Sequence, residues 1–191
     1  MARPADPQRR AKTLAKATDY VLEHGIAGLS LRPLAAALST STRMLLYDFE
    51  SKEKLISAIL AEARRREADL LTEHATVATS PKELLQDVWY WISAPERRPF
   101  LRLFFEVYLD AITHPETSSA EGKAMVTDWL TTVGATMSPG RDDPATATLV
   151  IAVIRGLLLD QLATNDHDRV DAALDRFADL LGSGPRAAER R

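Results

Sequence analysis

The chain has no cysteine among its 191 residues, which excludes disulfides, thiolate chemistry and any Cys-ligated zinc centre. Its four histidines, His24, His74, His114 and His167, are scattered, with no HExxH pair and no nucleophile-elbow glycines. The motifs of zinc proteases and of nucleophile-elbow hydrolases are therefore lacking. Asp166-His167-Asp168 is the one triplet with metal-ligand chemistry, and at a helix start it reads more readily as a cap beside a solvated histidine. Alternating β-branched runs are also missing, so strands are not expected. No long apolar run occurs: the longest, Leu149 to Ile154, stops at Arg155, far short of the roughly 20 residues of a membrane span. Arg3, Asp6, Arg9 and Arg10 charge the first residues without an apolar segment, so no secretory signal is expected there. These absences lead us to expect a non-enzymatic, cofactor-free, cytoplasmic protein outside the membrane.

What is present is helical. Hydrophobic residues make up 46% of the chain, ample for a packed core, and Leu, Ala, Glu and Arg dominate. Periodicity and punctuation predict an all-α protein of about nine helices. Asp6-Pro7 opens the first, which runs to His24 and ends at Gly25 as a left-handed cap. Short helices follow over 31–37 and 41–47, and Ser51 caps a long one to His74. Five more are expected at 81–93, 95–112, 119–137, 144–164 and 167–181, delimited by Ser80-Pro81, Ala94-Pro95, His114-Pro115, Ser138-Pro139-Gly140 and Asp143-Pro144. Gly182-Ser183-Gly184-Pro185 leads into a charged tail expected to fray.

The net charge of −3 is unevenly distributed. Residues 1–55 carry nine Lys/Arg against six Asp/Glu, and the remainder fifteen against twenty-one. A basic head on an acidic body suits a protein that meets phosphates at one end.

Residues 30–54, SLRPLAAALSTSTRMLLYDFESKEK, hold the most chemistry. Ser30 is placed to cap a helix with Leu31, Leu34, Ala35 and Leu38 as its apolar stripe, and Pro33 falls in its first turn. The polar run Ser39-Thr40-Ser41-Thr42 interrupts the pattern before Arg43–Tyr47 restarts it. Two short helices crossing through such a turn form a helix-turn-helix, whose second helix fits the major groove of DNA. By spacing alone, a polar turn followed by a solvated arginine fits equally well.

The flanking residues break that tie. Gly25, Leu34-Ala35, the turn at 38–41, Leu45-Leu46-Tyr47-Asp48-Phe49 and Ser51-Lys52-Glu53 resemble the DNA-binding region of the tetracycline-repressor (TetR) family of bacterial transcription regulators. The match covers roughly residues 9 to 60. Two departures stand out. Ser39 occupies the turn position where the family usually has Gly, and Leu46 the position of its commonest tyrosine. The resemblance implies a helix-turn-helix domain over 1–51, a connecting helix at 52–74, and an effector-binding and dimerisation domain over 52–191.

In the reading segment, Thr40, Ser41 and Thr42 are small enough for close approach to DNA, and Arg43 has the fork that bonds guanine O6 and N7. Met44 suits a thymine methyl, while Arg32, Lys52 and Tyr47 are placed for phosphates. Leu45, Leu46 and Phe49 are expected to hold the three helices together; Arg9, Arg10 and Lys12 read as a solvated face.

Eight of the twelve aromatic residues lie between Trp89 and Trp129, and PFLRLFFEVYLDAI is apolar on nearly every side. The resemblance implies a pocket there for a small apolar or aromatic effector, with Trp89, Phe100, Leu103, Phe104, Tyr108, Met125 and Trp129 as candidate lining. Arg102, Glu106 and His114 are candidate polar anchors; simple core packing is the competing reading. The last two helices are expected to pair with their copies in a homodimer, through Ile151, Arg155, Leu158, Leu159, Ala173, Phe177 and Leu180. A ligand-responsive dimeric repressor of a near-palindromic double-stranded operator is the resulting expectation. The alternative is an all-helical small-molecule-binding or adaptor protein that has no operator.

Overall fold

Helix ends set the geometry of the N-terminal lobe. The computed structural model describes residues 7–73, 80–114, 124 and 144–182. Among them are eight α-helices and no strand: α1 (Pro7–His24), α2 (Leu31–Ala37), α3 (Thr42–Phe49), α4 (Lys52–Glu73), α5 (Pro81–Ile92), α6 (Arg98–Thr113), α7 (Pro144–Thr164) and α8 (His167–Gly182). A single 3₁₀ turn, Pro95–Arg97, leads into α6. The helix expected over 119–137 lies outside the described residues, Ala124 excepted.

The described residues fall into two compact units. One gathers those of 1–73 and 99–127, the other those of 74–98 and 128–191. In the first, α1 packs on α4, α2 on α3, and α3 on α4. Val21, Leu34, Leu45, Leu55 and Ile59 are fully buried and form the core of the lobe, each contributing roughly 2 kcal/mol of hydrophobic burial. Leu46 departs from expectation. It is 40% exposed, because Leu45 and Phe49, four residues apart, take the inner face and turn their neighbour outward. Helix α6 buries Phe100, Leu101, Leu103, Phe104, Phe105 and Val107, but Leu109 and Ile112 in its last turns are exposed.

In the second unit, α8 packs against both α5 and α7. Ser80 caps α5 by accepting the Glu83 N–H at 3.2 Å, with Pro81 in the first turn where no donor is lost. Asp166 caps α8 through the Arg169 N–H. The whole of α7 is long and apolar enough to match a membrane span by length and composition, more than the run Leu149–Ile154 suggested. Its Val150, Ile151, Ile154, Leu158 and Gln161 are nevertheless buried within the protein, and Arg155 and Asp160 interrupt it.

Candidate nucleic-acid interface

The turn between α2 and α3 is built by backbone chemistry. Leu38 caps α2, the Ser39 N–H donates to Ala36 O at 3.1 Å, and the Thr40 N–H to Ala35 O at 2.9 Å. This pairing is a Schellman motif, which needs a left-handed residue directly after the cap. Ser39 supplies it at φ 53°, where glycine is the usual occupant. The departure seen in the sequence therefore leaves the turn intact and places a strained residue in it. Ser30 sits at the α2 N-cap in extended backbone, but its hydroxyl makes no capping bond. At α3 the cap is real: Ser41 Oγ accepts from the Met44 N–H at 3.2 Å.

The turn presents the segment expected to meet DNA. Ser41, Thr42 and Arg43 are exposed, Thr40 and Met44 are half-buried, and Tyr47 is 45% exposed. Arg32 is exposed in the first turn of α2, and Lys52 half-buried at the start of α4, which Ser51 Oγ caps through the Lys54 N–H. Because the first N–H groups of a helix lack internal partners, the starts of α3 and α4 both favour phosphate oxygens.

A buried carboxylate that sequence reasoning passed over orders this surface. Asp48 accepts from Arg9 Nη2 at 2.5 Å, and its carbonyl oxygen accepts from Arg10 Nε at 3.0 Å. The same guanidinium groups lie over Tyr47 and Phe49, at 5.8 and 4.8 Å from the ring centroids. Arg9 and Arg10 thus both reach α3, while Arg10 stays exposed and Arg9 half in water. Lys12 and Lys16 remain exposed on α1, beside a groove that also contains Gln8 and Leu38. The signal was available: Asp48, three residues after Leu45, falls in the inward phase of α3.

A second charge network ties α1 to α4. Arg66 donates to Asp19 Oδ1 at 2.6 Å, to Ala15 O at 3.2 Å and to Glu62 Oε1 at 2.9 Å. Hydrogen bonds from Arg65, then from Arg66, hold the Glu62 carboxyl down to about 2.

The candidate effector residues divide. Phe100, Leu103 and Phe104 are buried along α6, and the rings of Phe104 and half-buried Tyr108 stack at 6.2 Å. Trp89 belongs to the other unit, where its Nε1 donates to Asp171 Oδ1 at 2.8 Å. Beside that bond an open cleft of about 570 Å³ is lined by Trp89, Tyr90, Glu96, Gln161, His167 and Asp171. Met125 and Trp129 lie outside the described residues. Of the candidate anchors, Arg102 and His114 are exposed, whereas Glu106 accepts the Ile26 N–H and is committed to the protein's own backbone.

The candidate dimer residues divide by helical phase. Ile151 and Leu158 are 4% and 3% exposed, inside the chain's own core. Seven residues apart, they share the inward stripe of α7. Arg155 and Phe177 are half-buried, and Leu159, Ala173 and Leu180 are exposed. Leu149, Ala152, Gly156 and Leu159 are exposed along the rest of α7.

Comparison with known proteins agrees with this architecture. The family model described as "Tetracyclin repressor-like, C-terminal domain" matches residues 73–182. A TetR-family member from Streptomyces coelicolor A3 is 30% identical over 89% of this chain and 98% of its own, with a TM-score of 0.64. The multidrug binding protein EbrR, solved with imidazole, is 28% identical over 92% of this chain and 93% of its own, at 0.67. A TetR-family regulator from Cytophaga hutchinsonii, 19% identical, shares the fold over 99% of this chain and all of its own, at 0.74. No curated protein matches the chain. A matching C-terminal domain, joined to a helix-turn-helix lobe, makes this chain a member of the TetR family of transcriptional regulators.

Proposed function

We propose that this regulator binds a near-palindromic operator as a homodimer, represses nearby genes, and is released by an apolar or aromatic small molecule. The observation that carries the reading is the exposed start of α3, Ser41–Arg43, held on a turn of defined backbone geometry. Arg43 reads a base edge; Thr40, Ser41, Thr42 and Met44 form the close-contact surface; Arg32, Tyr47 and Lys52 meet phosphates. The operator-binding domain is 1–51, α4 connects it, and 52–191 carries the effector and dimer functions.

Phe100, Phe104 and Tyr108, with the aliphatic Leu103, supply an apolar, largely aromatic wall for the effector. EbrR has also been solved with proflavin, a relative's ligand that supports a flat aromatic class here. Dimerisation uses the exposed faces of α7 and α8 and sets the two reading helices one helical turn of DNA apart, about 34–36 Å. A cytoplasmic location follows from that role.

The test is selection from a random duplex library with the full chain, followed by a salt titration of the enriched sequence. We expect a two-fold symmetric site whose affinity falls steeply with salt. Absence of enrichment, or salt-independent binding, overturns the proposal.

A further inference from the structure

The end of α1 is joined to α6 by one carboxylate. The Gly25 N–H still closes a helical bond to Val21 O at 2.8 Å, and the chain then turns at φ 83°. Past that turn the N–H groups of Ile26 and Ala27 have no helical carbonyl to reach. Glu106 Oε2, eighty residues further along, accepts both, at 2.7 and 3.4 Å. Gly25 serves this contact twice. It adopts the left-handed turn, and a Cβ there would lie 2.7 Å from Glu106 Oε1.

Two features make this a coupling contact and not simply a brace. A carboxylate at the C-terminal end of α1 faces the negative pole of the helix dipole, which opposes the two hydrogen bonds and keeps the tie modest. Its two ends also belong to elements with different tasks. Glu106 lies on α6 between buried Phe104 and half-buried Tyr108, whereas α1 is locked to α3 by Arg9–Asp48 and to α4 by Arg66. A displacement of α6 pulls on the end of α1, and α1 carries the reading helix with it.

We infer that Glu106 is a positioning residue, setting the orientation of the helix-turn-helix lobe through the Ile26 and Ala27 amides. This rests on the operator-binding reading above. When the tie is absent the lobe samples more orientations, and apparent affinity falls with the fraction that is competent.

The experiment compares the full-length chain with Glu106→Ala and Glu106→Gln, using the duplex enriched by the wild type and amide hydrogen exchange. For Glu106→Ala we expect about tenfold weaker binding, within the usual range of coupling between sites. The Ile26 and Ala27 amides exchange faster, base preference is unchanged, and Tm stays within about 3 °C of wild type. Glu106→Gln keeps an acceptor oxygen at the same reach and restores affinity to within about twofold. Affinity unchanged in Glu106→Ala while those amides open overturns the inference. So does a loss of affinity matched by faster exchange throughout the core, since that is global destabilisation. A wild-type chain that enriches no duplex overturns the operator-binding reading, and this inference with it.

Discussion

Arg9 reaches across 2.5 Å to Asp48, joining the first turn of α1 to the last turn of α3. The carboxylate is almost fully enclosed, with 3% of its side chain exposed, while the arginine stays half in water. Removing the arginine strands a buried charge. Arg9→Ala should therefore cost about 2 kcal/mol, read as a lower urea midpoint at unchanged m-value. Asp48→Leu combined with Arg9→Met should cost less than Arg9→Ala alone, because no charge is left unpaired.

Ser39 bears backbone strain at φ 53° in a turn built for glycine. Ser39→Gly should stabilise the protein by about 0.5 kcal/mol, because relief of the left-handed strain exceeds the extra freedom glycine gives the unfolded chain, seen as a slightly raised thermal midpoint. Affinity for the enriched duplex should hold or improve, since the Schellman bonds are unchanged.

Arg43 and Lys52 are expected to fail differently. Arg43→Ala should relax base preference at one position of each half-site, at about 1–3 kcal/mol of discrimination. Lys52→Ala should weaken all sequences about equally and reduce the salt slope by about one. Binding of sequence variants at several salt concentrations separates the two.

Glu62 gives the α1–α4 contact a pH dependence. Its carboxyl is held down from the ordinary 4.5 to about 2 by hydrogen bonds from Arg65 and Arg66. A depressed folded-state value means the stabilisation is fully present above pH 4.5. It is lost progressively as pH falls from there towards about 2. In an acid-unfolding series, the wild type should lose stability through that window more steeply than Glu62→Gln, whose amide does not titrate.

The outward faces of α7 and α8 carry the dimer prediction. Leu159 and Leu180 are 51% and 56% exposed, a high value for large apolar groups in two adjacent helices. Leu180→Glu should shift the protein from dimer to monomer in sedimentation, since two-fold symmetry applies each change twice. Ile151→Ala should instead destabilise the fold by about 3 kcal/mol, because Ile151 is 4% exposed within the chain.

Much of the fold was legible in residue order because helix ends are local chemistry. Pro7, Gly25, Ser51, Ser80-Pro81 and Pro144 act within a turn of their own positions, and the observed helices begin or end there. The helix-turn-helix was legible for the same reason. Its apolar spacing and polar turn depend on neighbours three and four residues away.

The sequence by itself determined the all-helical class, most of the described helix boundaries to within a few residues and the exposed polar start of α3, since each follows from local contacts. The single helix expected over 95–112 instead begins with the 3₁₀ turn Pro95–Arg97 before α6. Only the tertiary structure decided that Asp48 is buried against Arg9, that Leu46 faces out, that Ile151 and Leu158 belong to the chain's own core, and that Glu106 holds the end of α1. Those outcomes depend on which helix faces arrive opposite one another across 39 to 80 residues of chain. Helical periodicity marks which faces are apolar; it carries no information about which partner fills them.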